Sequence, residues 1–147
     1  MHSPRLEMNG RKVVGGQGAG EAIVSRQAIS FFGGVDPRSG VVIEQGHDIE
    51  GRSIKGKVLV FPRGKGSTVG SYVIYGLGKY GAAPVAIVNV ETEPIIIGGC
   101  VLAKIPLVDK LDRNPLDAIR TGDWVEVEGD VGRVWVTKRT SYARQIS

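Results

Sequence analysis

Ten consecutive residues, Pro62-Arg63-Gly64-Lys65-Gly66-Ser67-Thr68-Val69-Gly70-Ser71, hold the side chains best suited to chemistry in this chain. Cations, glycines and hydroxyls follow directly on the apolar run Val58-Leu59-Val60-Phe61. A glycine turn between a strand and a helix offers backbone N–H groups and the positive end of the helix dipole to an anion. Arg63 and Lys65 add charge, and Ser67 or Thr68 is the natural cap of the helix that follows. Two familiar phosphate loops are excluded. A P-loop needs Lys followed by Ser or Thr, and here Gly66 follows Lys65. A dinucleotide fingerprint needs a third glycine where Val69 stands, with an acidic residue downstream for the ribose. On spacing alone an anion site and a plain helix cap behind a glycine turn remain equally open.

The other candidates are few. His2 falls in a loose terminus, and His47, in Gln45-Gly46-His47-Asp48, has the setting of an exposed turn residue. Cys100 lies among apolar residues, where a lone cysteine is more often a small buried side chain. One Cys and two His cannot build a zinc or iron–sulfur site on this chain. No Ser/His/Asp arrangement is legible, so the chain by itself lacks ordinary catalytic equipment.

Charge placement supports the choice of loop. Arg52, Lys55, Lys57, Arg63, Lys65 and Lys79 fall within residues 52–90, which contain no Asp or Glu. A local positive field around a loop suits a small phosphate or carboxylate ligand. The whole chain, 147 residues with net charge +4, 41% hydrophobic and 23% charged, fits one globular domain over 1–147, with 1–10 and 140–147 as loose termini. The longest apolar run, residues 94–103, is too short to span a bilayer, which argues against a membrane protein. The N-terminus has no apolar core of a secretory signal, and a cytoplasmic location is expected.

Several elements must position the loop. Residues 21–24, 28–31 and 41–43 are short β-prone runs separated by turn signals, and 57–61 is a more apolar strand. The period then changes. Val69, Tyr72, Val73, Gly76, Leu77 and Tyr80 share one helical face, with Gly81 as the stop. Residues 85–90 form an unbroken apolar run, the pattern of a strand covered on both faces. Strand, helix and strand from 57 to 90 therefore make a right-handed βαβ unit. Pro94 opens a helix over 94–103, residues 105–108 form a strand, and 115–120 one or two helical turns. Residues 124–128 and 133–137 alternate around Gly129-Asp130 as a hairpin.

Five blocks, taken in order, resemble the aconitase X family. They are Ile29-Ser30-Phe31-Phe32-Gly33-Gly34-Val35-Asp36-Pro37, Gly56-Lys57-Val58-Leu59-Val60, Gly64-Lys65-Gly66-Ser67-Thr68-Val69-Gly70-Ser71, Ala83-Pro84 and Ile105-Pro106. The likeness is to the small subunit of that family and covers most of residues 10–110. It implies an α/β, strand-rich fold, the swivelling β/β/α domain comparable to the mobile last domain of aconitase. It also implies half of a two-chain hydro-lyase. A cysteine-bearing large subunit would hold a [4Fe–4S] cluster, and this chain would supply a serine base. The family serine maps onto Ser67, where a helix N-terminus, Lys65 and Arg63 could stabilise its alkoxide. The implied substrate is (R)-5-phosphomevalonate, held by Arg63, Lys65, Gly66 and Thr68 and converted to trans-anhydromevalonate 5-phosphate for isoprenoid synthesis.

Two alternatives stand beside this. Related aconitase X enzymes dehydrate cis-3-hydroxyproline, and their small domain carries a similar glycine–serine loop. A stand-alone module binding nucleic acid or a phosphorylated protein is disfavoured, because aromatics total only 6% and Tyr72 and Tyr80 fall on the predicted apolar face. Two further expectations follow from the resemblance: the isolated chain is folded but inactive, and Phe31 and Phe32 border the glycine loop.

Overall fold

Regular structure begins earlier than the N-terminal composition suggests. In a computed structural model, which describes residues 5–139, Arg5–Asn9 (β1) and Arg11–Val14 (β2) form two strands with only Gly10 between them. Residues 5–9 are thus not a loose terminus. Met8 is buried, and every residue of β1 has a partner in the terminal hairpin. The remaining expected tails, 1–4 and 140–147, lie outside the described residues.

The chain continues through Gln17–Val24 (β3), Ile29–Ser30 (β4), the turn Phe31–Gly34 (α1), Val58–Phe61 (β5), Gly64–Lys65 (β6), Gly70–Lys79 (α2) and Ala86–Asn89 (β7). Pro94–Ala103 (α3), Leu107–Asp109 (β8), Pro115–Ala118 (α4), Trp124–Glu128 (β9) and Arg133–Thr137 (β10) complete it. Eight strands form one sheet in the order β1-β10-β9-β3-β5-β7-β8-β2, and β4 and β6 form a separate two-stranded parallel ladder. The sheet's two outer strands are β1 and β2, joined through Gly10, so the sheet curls back on itself. Strand β3 links its two halves. Gln17–Glu21 pair antiparallel with β9, whereas Ala22–Val24 pair parallel with β5.

Two apolar layers follow from strand periodicity. One face of the parallel strands, with Val58, Val60, Ala86, Val88 and Val108, packs against Met8, Val125, Val127, Val134 and Val136 of the antiparallel half. The other face, with Leu59, Phe61, Ile87 and Leu107, packs beneath Ile74 and Leu77 of α2 and Ile96 and Cys100 of α3. Parallel strands covered on both sides account for the unbroken apolar runs at 58–61 and 85–90. Each fully buried Leu or Ile contributes about 2 kcal/mol. The layers are sheet, sheet and helices.

Three expectations need correction. Helix α2 turns a different face to the core: Gly70, Ile74 and Leu77 are buried, while Tyr72 is 70% and Tyr80 56% exposed. Ile74 packs directly onto Gly99 of α3, where a Cβ would stand 2.7 Å from it. Residues 41–43 form only isolated bridges, Val35 with Val42 and Val41 with Ser53. The expected strand 28–31 shortens to Ile29–Ser30, because Phe31 turns its ring into the core, 6.0 Å from Phe61. The crossover β5–α2–β7, the helix opened by Pro94 and the terminal hairpin stand where the sequence puts them.

Candidate active site

The glycine loop leaves the carboxyl end of β5, where loops of parallel α/β sheets carry ligands. Both of its ends are pinned. The Pro62 carbonyl accepts the N–H groups of Val90 and Glu91 at 3.1 and 3.3 Å, and the Arg63 carbonyl accepts that of Ile29 at 3.2 Å. Strand β6 then pairs Gly64 with Ile29 and Lys65 with Ser30. The two distinctive blocks of the sequence are therefore neighbours in space. Phe31 and Phe32 divide the border between them, Phe31 buried and Phe32 54% exposed.

Glycine is required at two loop positions for different reasons. A Cβ on Gly64 would stand 2.5 Å from Glu93 Oε1 and 2.7 Å from Ile96 Cγ1, so β6 rests directly on the start of α3. Glu93 caps that helix, its carboxylate accepting the N–H groups of Ile95 and Ile96 at 2.9 and 3.2 Å. Gly66 has φ +90°, where side chains are strained, and a Cβ there would meet Ser30 Oγ at 2.5 Å.

Ser67 is exposed one turn ahead of α2. The expected capping role is not what the geometry provides: the N-cap of α2 is Val69, with no side-chain cap bond. Ser67 Oγ instead accepts the Val69 N–H at 3.2 Å, inside its own turn. The amides of Gly70, Ser71 and Tyr72 donate to the carbonyls of Ser67, Thr68 and Val69, so they are already committed. Among the described residues the N–H groups of Gly66, Ser67 and Thr68 have no backbone partner. An anion over the loop would meet those donors, with Arg63, Gly66 and Thr68 all exposed around them. Among the described residues the Arg63 guanidinium has no partner.

Lys65 is not free. Its Nζ lies 3.0 Å from Glu44 Oε2, a pairing that no spacing in the sequence announces. Burial alone would push the Glu44 carboxyl up, but Lys65 and the Ser30 N–H hold it below the ordinary range. The acid-free window 52–90 was the available signal, since its lysines had to find counter-charges elsewhere. Lys57 finds Glu21, at 3.4 Å, in the same way.

Of the remaining candidates, His2 lies outside the described residues, and His47 and Cys100 lie away from the solvent. His47 is buried, not an exposed turn residue. Its Nε2 lies 3.1 Å from the Ala28 carbonyl and its Nδ1 3.3 Å from the Ile49 N–H, so the ring fastens the segment leading into β4. Cys100 is buried in α3, and burial pushes its thiol up to about 12. A thiol held protonated is no metal ligand. Among the described residues no three His, Cys, Asp or Glu side chains are grouped to hold a metal ion. Nor, among them, is any helix long and apolar enough to cross a membrane.

A layered β/β/α domain with a glycine–serine loop at the carboxyl ends of its parallel strands is of the swivel type found in the aconitase superfamily. The family model described as the aconitase X swivel domain matches residues 7–136, and the chain belongs to that family. A Methanosarcina acetivorans protein named phosphomevalonate dehydratase small subunit is 53% identical over 90% of this chain and 92% of its own length. The protein of the same name from Thermococcus kodakarensis is 53% identical over 88% of this chain and 95% of its own. The crystal structure described as Thermococcus kodakaraensis aconitase X in its holo-form superposes with a TM-score of 0.85 at 51% identity, covering 89% of this chain and 98% of that one. A solution NMR structure of a UPF0107 protein matches at a TM-score of 0.79 and 46% identity, covering 88% and 97%.

Proposed function

We propose that the chain is the small subunit of a cytoplasmic two-chain hydro-lyase that dehydrates (R)-5-phosphomevalonate to trans-anhydromevalonate 5-phosphate, with Ser67 as its base. The observation that carries the proposal is the placement of Ser67. It is exposed on a short pinned loop, its Oγ receives the Val69 N–H, and two cations lie within four residues of it in the chain. A serine hydroxyl is a poor base unless its alkoxide is stabilised, and an N–H donor with nearby positive charge supplies that stabilisation. The names carried by relatives at about half identity over most of the chain support the substrate.

Each loop residue then has a task. Ser67 takes the proton from the carbon next to the departing hydroxyl. Arg63, exposed and without a side-chain partner among the described residues, holds the phosphate, and Lys65 lies between it and the serine in the chain. The N–H groups of Gly66 and Thr68 receive the remaining substrate oxygens. In this reading a cysteine-bearing large subunit holds a [4Fe–4S] cluster, which supplies the Lewis acid for the hydroxyl; no residue described here fits such a cluster.

The test is an anaerobic dehydration assay with the isolated chain, and with the chain co-expressed with a cysteine-bearing aconitase-like large chain. Water loss from (R)-5-phosphomevalonate by the pair alone is expected. Turnover by the isolated chain would overturn the two-chain reading, and a preference for cis-3-hydroxyproline would overturn the substrate.

A further inference from the structure

Glu44 lies in the excursion between α1 and β5, yet its side chain reaches the glycine loop. Oε2 lies 3.0 Å from Lys65 Nζ, and Oε1 accepts the Ser30 N–H at 3.4 Å. The Glu44 N–H donates to the Gly34 carbonyl at 3.2 Å, as does that of Ile43 at 2.8 Å. One acidic residue thus binds the Ser30–Gly34 segment on one side and the loop lysine on the other. Its side chain is only 25% exposed and that of Lys65 50%. A carboxylate beside an anion site repels the anion it adjoins, so its presence calls for an offsetting role. Holding a flexible four-carbon lysine stem in one place is such a role, because an unheld ammonium spreads over many rotamers.

We propose that Glu44 is the positioning residue of the loop: it fixes Lys65 beside the Ser67 turn and couples that turn to the Ser30–Gly34 segment. For its effect on rate this rests on the dehydratase reading, while the pairing itself rests on geometry. In the free subunit Lys65 is held by Glu44, and a bound substrate oxyanion shares it. Glu44 acts through Lys65, not on the reacting atoms.

Glu44→Gln keeps the side chain's size and an acceptor for the Ser30 N–H but removes the counter-charge. In the two-chain enzyme kcat should fall about tenfold or more, up to the roughly hundredfold that a misplaced group can cost. KM for the phosphorylated substrate should stay level or drop, since a nearby negative charge is gone. Lys65→Met should lower kcat too, and adding Glu44→Gln to it should cost nothing more, as expected of two residues acting as one. A purely structural role would give additive losses and would overturn the proposal, as would a Glu44→Gln enzyme with undiminished kcat.

A second arm needs no activity. In the isolated chain, acetylation of Lys65 by acetic anhydride, read by peptide mass spectrometry, should run about threefold faster in Glu44→Gln, the scale of one partly exposed ion pair. An unchanged Lys65 rate would sink the pairing. If the wild-type pair of chains dehydrates nothing, the functional reading has failed and the acetylation arm alone decides whether Glu44 holds Lys65.

Discussion

Among the described residues Ser67 has a single side-chain hydrogen bond, to an N–H of its own exposed turn. That asymmetry separates its structural from its chemical value. Ser67→Ala should cost the fold at most about 1 kcal/mol, the worth of one exposed hydrogen bond. The dehydration rate at saturating substrate should fall at least about a hundredfold, as when a proton-transfer group is removed. Thermal melting and turnover of the same two-chain complex check both, and a Ser67→Ala complex that keeps most of its rate removes the base assignment. Arg63 is the complementary case. With no partner among the described residues, Arg63→Gln should leave the melting temperature unchanged. KM for a phosphorylated substrate should rise about tenfold or more, the scale of one charge-assisted hydrogen bond. An unchanged KM would move the phosphate to the partner chain.

At the scale of elements, the loop is held in place because β6 is pressed between β4 and α3. Gly64 has no room for a methyl group beside Glu93 and Ile96. Gly64→Ala should therefore cost about 1–3 kcal/mol, as overpacking does, and displace Lys65 and Ser67 together. Activity should fall further than in any equally destabilised variant remote from the loop, for instance one in the β9–β10 hairpin; equal losses would mean that the loop tolerates displacement. The elements that build this clamp differ in how legible they were. The β5–α2–β7 crossover and α3 followed from apolar runs, a change of period, Pro94 and Gly81, which act locally. The buried face of α2 did not. Two apolar sets interleave on that helix, and the tyrosines can leave their rings at the surface while Gly70 and Ile74 make close contacts with the core. Glu44 and His47 were invisible for another reason. Both act across distances of chain that carry no periodic signal, Glu44 on Lys65 and His47 on Ala28.

At the scale of the whole molecule, β2 is the strand that returns the sheet to its far edge, and Asp109 fastens it there. Asp109 is buried at the end of β8, its carboxylate accepting Arg11 Nε and Nη2 of β2, both at 2.8 Å, and the Thr92 N–H at 2.8 Å. Burial pushes this carboxyl up, but the Arg11 hydrogen bond, then the Thr92 N–H, outweigh it and hold the group below the ordinary range. With the folded value depressed, its stabilisation is complete above the unfolded pKa of about 3.9 and is lost as pH falls through the folded one. Asp109→Asn should then be less stable than wild type at pH 7 by about 2 kcal/mol, the worth of a charged acceptor to a buried N–H. The gap should be level from pH 7 to about 5, begin to narrow below about 4 as the unfolded carboxyl takes up its proton, and close only once pH has fallen through the lower folded value. Glu44 and Asp123, held below the ordinary range as well, stay ionised over the upper part of this span in both proteins and cancel in the difference. Urea unfolding of the isolated chain at a series of pH values measures the gap directly. A gap that stays constant to pH 3 would show that Asp109 contributes shape and not charge, and the sheet's closure would then rest on apolar packing around Met8 and Val108 alone.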